Sequence, residues 1–105
     1  MEQPNINYIN ELSGDNLAFK NKMLAILKRE LPEEIAIYKE QMRRKDFVIA
    51  AQSVHKLKHK ISILGLEKSY YIAEEYEDDL KNSNIDLQLS FEDILKLLNQ
   101  FVIEI

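Results

Sequence analysis

The chain has no cysteine, no tryptophan, and only two glycines and two prolines among its 105 residues. The lack of cysteine excludes disulfides, thiolate zinc sites and cysteine nucleophiles, and it suits the reducing cytoplasm, where we expect the protein. So few glycines and prolines argue against collagen-like or turn-rich β architectures. A hydrophobic fraction of 46% argues against disorder.

Long apolar runs and an excess of positive charge are also missing. No run approaches the roughly 18 apolar residues that a bilayer span needs, and Met1-Glu2-Gln3-Pro4 lacks the features of a signal peptide. We therefore expect neither membrane insertion nor export. A formal net charge of −4 argues against a general nucleic-acid binder. With no repeat or long linker, the length predicts one domain over residues 1–105.

Breakers of regular structure divide the chain into helix-length segments. They are Ser13-Gly14-Asp15, Pro32, Arg43-Arg44-Lys45-Asp46, Gly65 and Lys81-Asn82-Ser83-Asn84. Between them, apolar residues recur at steps of three and four, the period of a helix that buries one face. No segment alternates apolar and polar residues in the manner of a strand.

Four apolar stripes predict four long helices. The first stripe is Leu17, Leu24, Leu27, Leu31, Ile35, Tyr38 and Met42. The second is Phe47, Ala50, Val54, Leu57, Ile61 and Leu64. The third is Leu66, Ser69, Ala73, Tyr76 and Leu80, opposed by a face that we expect to be solvated, made of Glu74, Glu75, Glu77, Asp78 and Asp79. The fourth is Leu87, Phe91, Ile94, Leu98, Phe101 and Ile105.

Local signals predict where these helices begin and bend. Asp15 and Asp46 are N-cap candidates for the first two helices, and Ser90 with Asp93 has the spacing of a capping pair in the fourth. The first stripe continues past Pro32, which favours a kinked helix over a restart.

Short connections between four helices favour antiparallel neighbours. The predicted fold is therefore all-α, an antiparallel up-and-down four-helix bundle. We expect a short additional N-terminal helix, built on Ile6, Ile9 and Leu12, to lie over one end.

A histidine stands out on the second long helix. At about 100° per residue, His55 lies off the core stripe and faces solvent in mid-helix. The same exposed strip is predicted to carry Val48, Gln52, Lys58, His59 and Ser62, with the small residues Ala51 and Gly65 near its edge.

Three interpretations of His55 follow from the residues alone. It can be an ordinary surface histidine, a member of a metal pair with His59, or a reactive imidazole. Histidines four residues apart on a helix can bind one ion, but no carboxylate shares the strip as a third ligand, so we expect no metal site. The acidic residues from Glu74 to Asp79 carry no histidine or metal motif in register.

The segment Ala51–Leu66 resembles the signature of histidine-containing phosphotransfer (HPt) domains. That signature places a small or apolar residue before a histidine, then any residue, leucine, lysine and glycine, with a second glycine ten residues after the histidine. The residues in matching positions are Val54, His55, Leu57, Lys58 and Gly65. The resemblance extends over nearly the whole chain, and HPt domains are four-helix bundles.

The resemblance implies a phosphorelay intermediate of two-component signal transduction. His55 would accept a phosphoryl group from the aspartyl phosphate of a response-regulator receiver domain and pass it to an aspartate of another receiver. Lys58 would offset the phosphoryl charge. Mg²⁺ would come with the receiver, so we expect no cofactor bound by this domain. The sequence has no glycine-rich nucleotide loop, so we expect no autokinase activity.

The implied partners are receiver domains, with a hybrid sensor histidine kinase as a further candidate. The expected partner-binding residues are Val48, Ala51, Gln52, His59, Ser62, Ile63 and Gly65. Between Lys45 and Lys68, basic residues outnumber acidic ones by five to two, which suits the acidic pocket of a receiver. A charged surface without a long apolar patch predicts a monomer.

His59 departs from the HPt signature, which has glycine at that position. Its imidazole adds bulk one turn beyond His55, and it raises two alternatives. The chain can be a non-transferring pseudo-HPt adaptor that binds a receiver or kinase to regulate it, or His59 can compete with His55 as the phosphoacceptor. A helical protein whose histidines are incidental is the third function class.

Overall fold

The computed structural model describes residues 2–105, and its regular structure is entirely helical. The helices are α1 (Asn7–Ser13), α2 (Leu17–Arg43), α3 (Phe47–Ile63), α4 (Glu67–Lys81) and α5 (Gln88–Glu104). No strand is present in the part of the chain described. The predicted all-α class is confirmed.

One hydrophobic cluster draws buried residues from all five helices. Helix α3 packs along both α2 and α4, α5 contacts α4 and α2, and α1 contacts α2. The predicted stripe of α3 is confirmed: four of its members are fully buried within the helix, namely Ala50, Val54, Leu57 and Ile61. Helix α3 therefore lies between α2 and α4, and side chains on its two flanks can contact these helices.

The first predicted stripe is partly wrong. Leu17 is 65% exposed, and the buried positions of α2 begin only at Leu27. In the short N-terminal helix, Ile9 is fully buried as predicted, whereas Leu12 is half exposed. A periodic stripe shows which side of a helix is apolar, but it does not show how much of the helix length has a neighbour to pack against.

Two predicted helix starts are wrong. Asn16, rather than Asp15, is the N-cap of α2, and its Oδ1 accepts a hydrogen bond of 2.9 Å from the backbone N–H of Phe19. Ser90 and Asp93 form no capping pair, because α5 already begins at Gln88. Asp46 is the N-cap residue of α3 as predicted, but its side chain makes no capping hydrogen bond.

Pro32 lies inside α2 without ending it. The ring removes one backbone donor, so the carbonyl of Lys28 has no helical partner. Both residues are exposed, so water can reach that carbonyl. The prediction that one helix continues past Pro32 is confirmed, and the restart is excluded.

The end of α3 fixes the turn that leads into α4. The backbone N–H of Leu66 donates to Ile61 at 3.2 Å and that of Gly65 donates to Ser62 at 3.1 Å, which is the Schellman pattern. Gly65 has φ +80°, a conformation that costs a residue with a side chain about 1 kcal/mol or more. A Cβ there would also collide with the side chain of Asn5. Gly65 therefore has a structural reason for its place at the predicted helix end.

A buried hydrogen-bonded cluster holds α4 against its other neighbours. The hydroxyls of Tyr38 and Tyr76 lie 2.7 Å apart, and the Tyr38 hydroxyl donates to Glu92 at 3.0 Å. Burial raises the pKa of the Tyr76 hydroxyl to about 12. Tyr76 directly precedes Glu77 in α4, so this cluster helps to position Glu77 next to α3.

Among residues 2–105, no helix combines the length and apolar character required to cross a membrane.

Candidate functional site around His55

His55 lies in the middle of α3, between the buried residues Val54 and Leu57 in sequence but on a different side of the helix. Its side chain is 53% exposed. The predicted exposure of this imidazole is confirmed. A ligand or partner can therefore reach the ring without any opening of the core.

The ring is held from one side by a carboxylate of the neighbouring helix. His55 Nδ1 lies 3.2 Å from both Oε1 and Oε2 of Glu77 on α4. An ionised carboxylate can only accept hydrogen bonds, so Nδ1 must be the donor. In a neutral imidazole the free lone pair is then on Nε2. The contact therefore selects the tautomer whose Nε2 is a nucleophile.

Glu77 also binds two lysines. Its Oε1 lies 3.1 Å from Lys58 Nζ on α3, and its Oε2 lies 3.7 Å from Lys81 Nζ at the end of α4. The Lys58 ammonium lies 5.5 Å from the ring centroid of Tyr70, within the range of a cation–π contact. One carboxylate thus joins a histidine and two cations.

The two groups in the closest ion pair stabilise each other's charged form. Burial raises the pKa of the Glu77 carboxyl, but hydrogen bonds from Lys58 and His55 outweigh it and hold that pKa below its usual value. Burial lowers the pKa of the Lys58 ammonium, but the hydrogen bond to Glu77 and its charge hold that pKa above its usual value. Both groups are therefore charged at neutral pH.

Two predictions about exposure are wrong at this site. Lys58 was expected on the exposed strip, yet only 10% of its side chain is exposed, because α4 covers that flank of α3. Glu77 was expected on a solvated acidic face, yet only 12% of its side chain is exposed. Glu77 is thus a carboxylate partner of His55 that comes from α4, whereas the sequence analysis looked for one only on α3.

A signal in the sequence could have marked Glu77. It lies four residues after Ala73 and three before Leu80, both fully buried members of the α4 stripe. Residues at that spacing share a helix face. The acidic run therefore has one buried member, Glu77, and one half-buried member, Asp79, whereas Glu74, Glu75 and Asp78 are exposed as predicted.

Five of the seven expected partner-binding residues line two grooves, and His59 and Ile63 line neither of them. The first has a volume of about 430 Å³, and its lining includes His55, Val48, Ala51, Gln52 and Lys81. The second has a volume of about 410 Å³, and its lining includes Ser62, Gly65, Tyr70 and Tyr71. Val48 is 58% exposed, which confirms its predicted place outside the core.

Two of the expected contact residues are less accessible than predicted. Ala51 is almost fully buried, although it lines the first groove. Ile63 is only partly exposed and packs against the core cluster. Both lie near the boundary between the strip and the core, where a small change in helix rotation decides burial.

The second histidine packs on the first. The ring centroids of His55 and His59 are 5.0 Å apart with the planes at 89°, an edge-to-face arrangement. His59 is exposed, as predicted. Within residues 2–105, no group of three or more His, Cys, Asp or Glu side chains is arranged to hold a metal ion.

No family model, curated protein or solved structure with which the chain was compared matches it. The geometry and chemistry of its own residues are therefore the grounds for assigning a function. The central feature is an exposed imidazole whose Nδ1 is bound by a carboxylate carrying its own buried cation.

Proposed function

We propose that the chain is a phosphorelay intermediate, with His55 as the phosphoacceptor that takes its phosphoryl group from one receiver domain and gives it to another. One observation carries the proposal: His55 is half exposed, and Glu77 binds its Nδ1. Together with the residues in register with the HPt signature, this supports an antiparallel up-and-down four-helix bundle of the HPt kind, acting in the cytoplasm.

The proposed transfer balances without any further reactant. The Nε2 lone pair of His55 attacks phosphorus in the aspartyl phosphate of the receiver. As the N–P bond forms, the P–O bond to the aspartate breaks, and the carboxylate leaves with that electron pair. The proton on Nδ1 stays in its hydrogen bond to Glu77, whose negative charge stabilises the cationic ring of the product. Transfer to the second receiver is the reverse of this step.

The carboxylate supplies orientation as well as charge. A free imidazole on a helix surface rotates about its side-chain bonds, whereas two Nδ1 to oxygen distances of 3.2 Å hold the ring with one nitrogen inward. Lys58 keeps Glu77 ionised and in place. Glu77 is therefore a positioning residue in this proposal.

The partner would supply what the chain does not. Phosphoryl transfer needs a divalent cation, and we propose that the receiver brings Mg²⁺ in its acidic pocket. Exposed Val48 and Gln52 beside His55 offer apolar and polar contacts to the rim of that pocket. The local excess of basic residues favours the approach of an acidic partner. The chain would have no autokinase activity.

The test is transfer from phosphorylated receivers to the full chain. We would incubate the purified protein with Mg²⁺ and a panel of labelled receiver domains, and then map acid-labile, alkali-stable label to a residue. The proposal predicts label on His55, none in His55→Gln, and label retained in His59→Gln, the matched control. His59→Gln replaces an exposed side chain, so unfolding should change by no more than about 0.5 kcal/mol. His55→Gln removes the imidazole from Glu77 but leaves that carboxylate its ion pair with Lys58, so this variant should remain folded.

Two outcomes would overturn the assignment. Label retained in His55→Gln and lost in His59→Gln would make His59 the acceptor. Measurable receiver binding without any label would favour the non-transferring adaptor. The bulk of the His59 ring, 5.0 Å from the His55 ring, is the observation that favours this alternative. In that case His55→Gln would leave binding intact.

A further inference from the structure

Two exposed or partly exposed lysines line the groove of His55, and a third, Lys58, is buried beside it. Resting on the proposed function of His55, we infer that Lys81 is the cation that contacts the phosphoryl group, while Lys58 stabilises Glu77. The assignment departs from the role that the HPt resemblance implies for Lys58.

Lys58 already has two partners for its ammonium group. Its Nζ lies 3.1 Å from Glu77 Oε1 and near the face of the Tyr70 ring, and its side chain is 10% exposed. Moving it to a phosphoryl group at the surface would strip Glu77 of its shortest ion pair in a partly buried position. Removing Lys58 from this carboxylate would lower the stability of the fold, because a mostly buried charge would lose its closest cation.

Lys81 has the opposite properties. It is the last residue of α4, its side chain is 55% exposed, and it lines the same groove as His55. Its ion pairs are long, at 3.7 Å to Glu77 Oε2 and 3.8 Å to Asp78 Oδ1, and Asp78 is itself mostly exposed. Because both pairs are long and Lys81 itself is exposed, we expect each to contribute at most about 1 kcal/mol, so Lys81 can leave them with little loss.

A phosphoryl group on His55 would change the balance of charge at Glu77. It brings nearly two negative charges and three acceptor oxygens close to a carboxylate that is already ionised. Lys58 remains paired with that carboxylate, so the added charge needs another cation. Lys81 lies 3.7 Å from Glu77 and lines the same groove as His55, so in our inference its flexible side chain reaches the phosphoryl oxygens from α4.

Lys56 is the competing cation, since it also lines the groove. It follows His55 directly in α3, so its side chain leaves the helix about 100° away from the imidazole. It also makes no ion pair with Glu77, whereas Lys81 is held beside that carboxylate. Position therefore favours Lys81.

The experiment uses phosphoramidate in the presence of Mg²⁺, since this small donor needs no partner protein. His55 Nε2 attacks the phosphorus of the zwitterion, whose nitrogen already carries three protons, the P–N bond breaks, and ammonia leaves with that electron pair. We would measure the rate of His55 labelling in the wild-type chain, Lys81→Gln, Lys81→Arg and Lys56→Gln. Lys28→Gln is the matched control, because Lys28 is an exposed lysine of α2 that does not line the groove.

We expect Lys81→Gln to slow labelling about twofold to fivefold at low ionic strength, the range for one partly exposed charge contact. Lys81→Arg should restore the rate, and Lys56→Gln and Lys28→Gln should match the wild type. Added salt should shrink the difference between Lys81→Gln and the wild type, because it screens an exposed charge. A merely structural role of Lys81 would show neither the rescue by arginine nor this dependence on salt.

The outcomes separate this inference from the proposed function. If His55 is labelled and Lys81→Gln labels as fast as Lys28→Gln, the role of Lys81 is wrong and the phosphoacceptor stands. If Lys56→Gln alone slows labelling, the cation is Lys56. If the wild-type chain takes no label on His55 from phosphoramidate or from any receiver, the proposed function fails, and the inference fails with it.

Discussion

Helix α3 carries two partly buried ion-pair clusters, one on each flank, and only one of them includes an exposed imidazole. Toward α4, Lys58 pairs with Glu77, which also binds His55. Toward α2, Lys60 lies 2.9 Å from Glu34 and 3.2 Å from Glu30. The lysines are similarly buried, with 10% and 14% of their side chains exposed.

The difference between the clusters lies in what shares the carboxylate. On the α2 flank, one lysine meets two carboxylates and nothing reactive, so the cluster joins two helices. On the α4 flank, one carboxylate meets a buried lysine, an exposed lysine and His55. A buried ion pair alone therefore does not mark a functional site. The exposed nucleophile attached to it does.

The largest effect that the comparison predicts comes from removing Glu77. Glu77→Ala leaves Lys58 under α4 without its carboxylate, and we expect a loss of about 2–3 kcal/mol in the free energy of unfolding. The same change frees the His55 ring and should slow its labelling. Urea unfolding and phosphoramidate labelling measure the two effects.

The matched control is Glu34→Ala on the other flank. Lys60 would keep Glu30, and the Glu34 Oε1 that is buried without a hydrogen-bond partner would be removed. We expect a loss of about 1 kcal/mol or less and unchanged labelling of His55. If Glu77→Ala and Glu34→Ala lost equal stability and slowed labelling equally, the proposed difference between the two clusters would be wrong.

A smaller effect is expected in the acid dependence of stability. The pKa of Glu77 in the folded chain lies below its ordinary value of 4.5. Its contribution to stability is therefore complete above about pH 4.5 and is lost as the pH falls through the lower folded value. The stability difference between the wild type and Glu77→Gln should therefore shrink as the pH falls below about 4.5. A difference that stays constant with pH would contradict the ionised pair.

The smallest effect concerns the turns that end the helices on either side of α3. Ser83 after α4 and Lys45 after α2 both have positive φ, at 57° and 60°. Ser83→Gly should stabilise the fold by about 0.5–1 kcal/mol, because glycine adopts this conformation without strain. Lys45→Gly should behave similarly, and neither should alter His55 labelling. Thermal unfolding would measure the gain in stability. A loss of stability would show that the positive φ at these two positions is not strained.

Helical periodicity predicted much of this molecule. The core stripe of α3 and the exposure of His55 follow from a repeat of three and four residues, and the end of that helix follows from Gly65. Predictions were weakest at the borders of the stripes. Lys58 was placed on the exposed strip and Ala51 near its edge, but both are buried, since the covered arc of a helix depends on how closely its neighbours approach.

The sequence by itself determined that the chain is helical, which helix faces are apolar, and that one imidazole lies outside the core. Only the tertiary structure decided that Glu77, 22 residues away in the chain, meets His55 and Lys58. The physical reason is that local periodicity sets the face of each helix separately. Which polar side chains meet across a boundary depends on the rotation and axial register of two packed helices, and these are set by side-chain packing in the shared core.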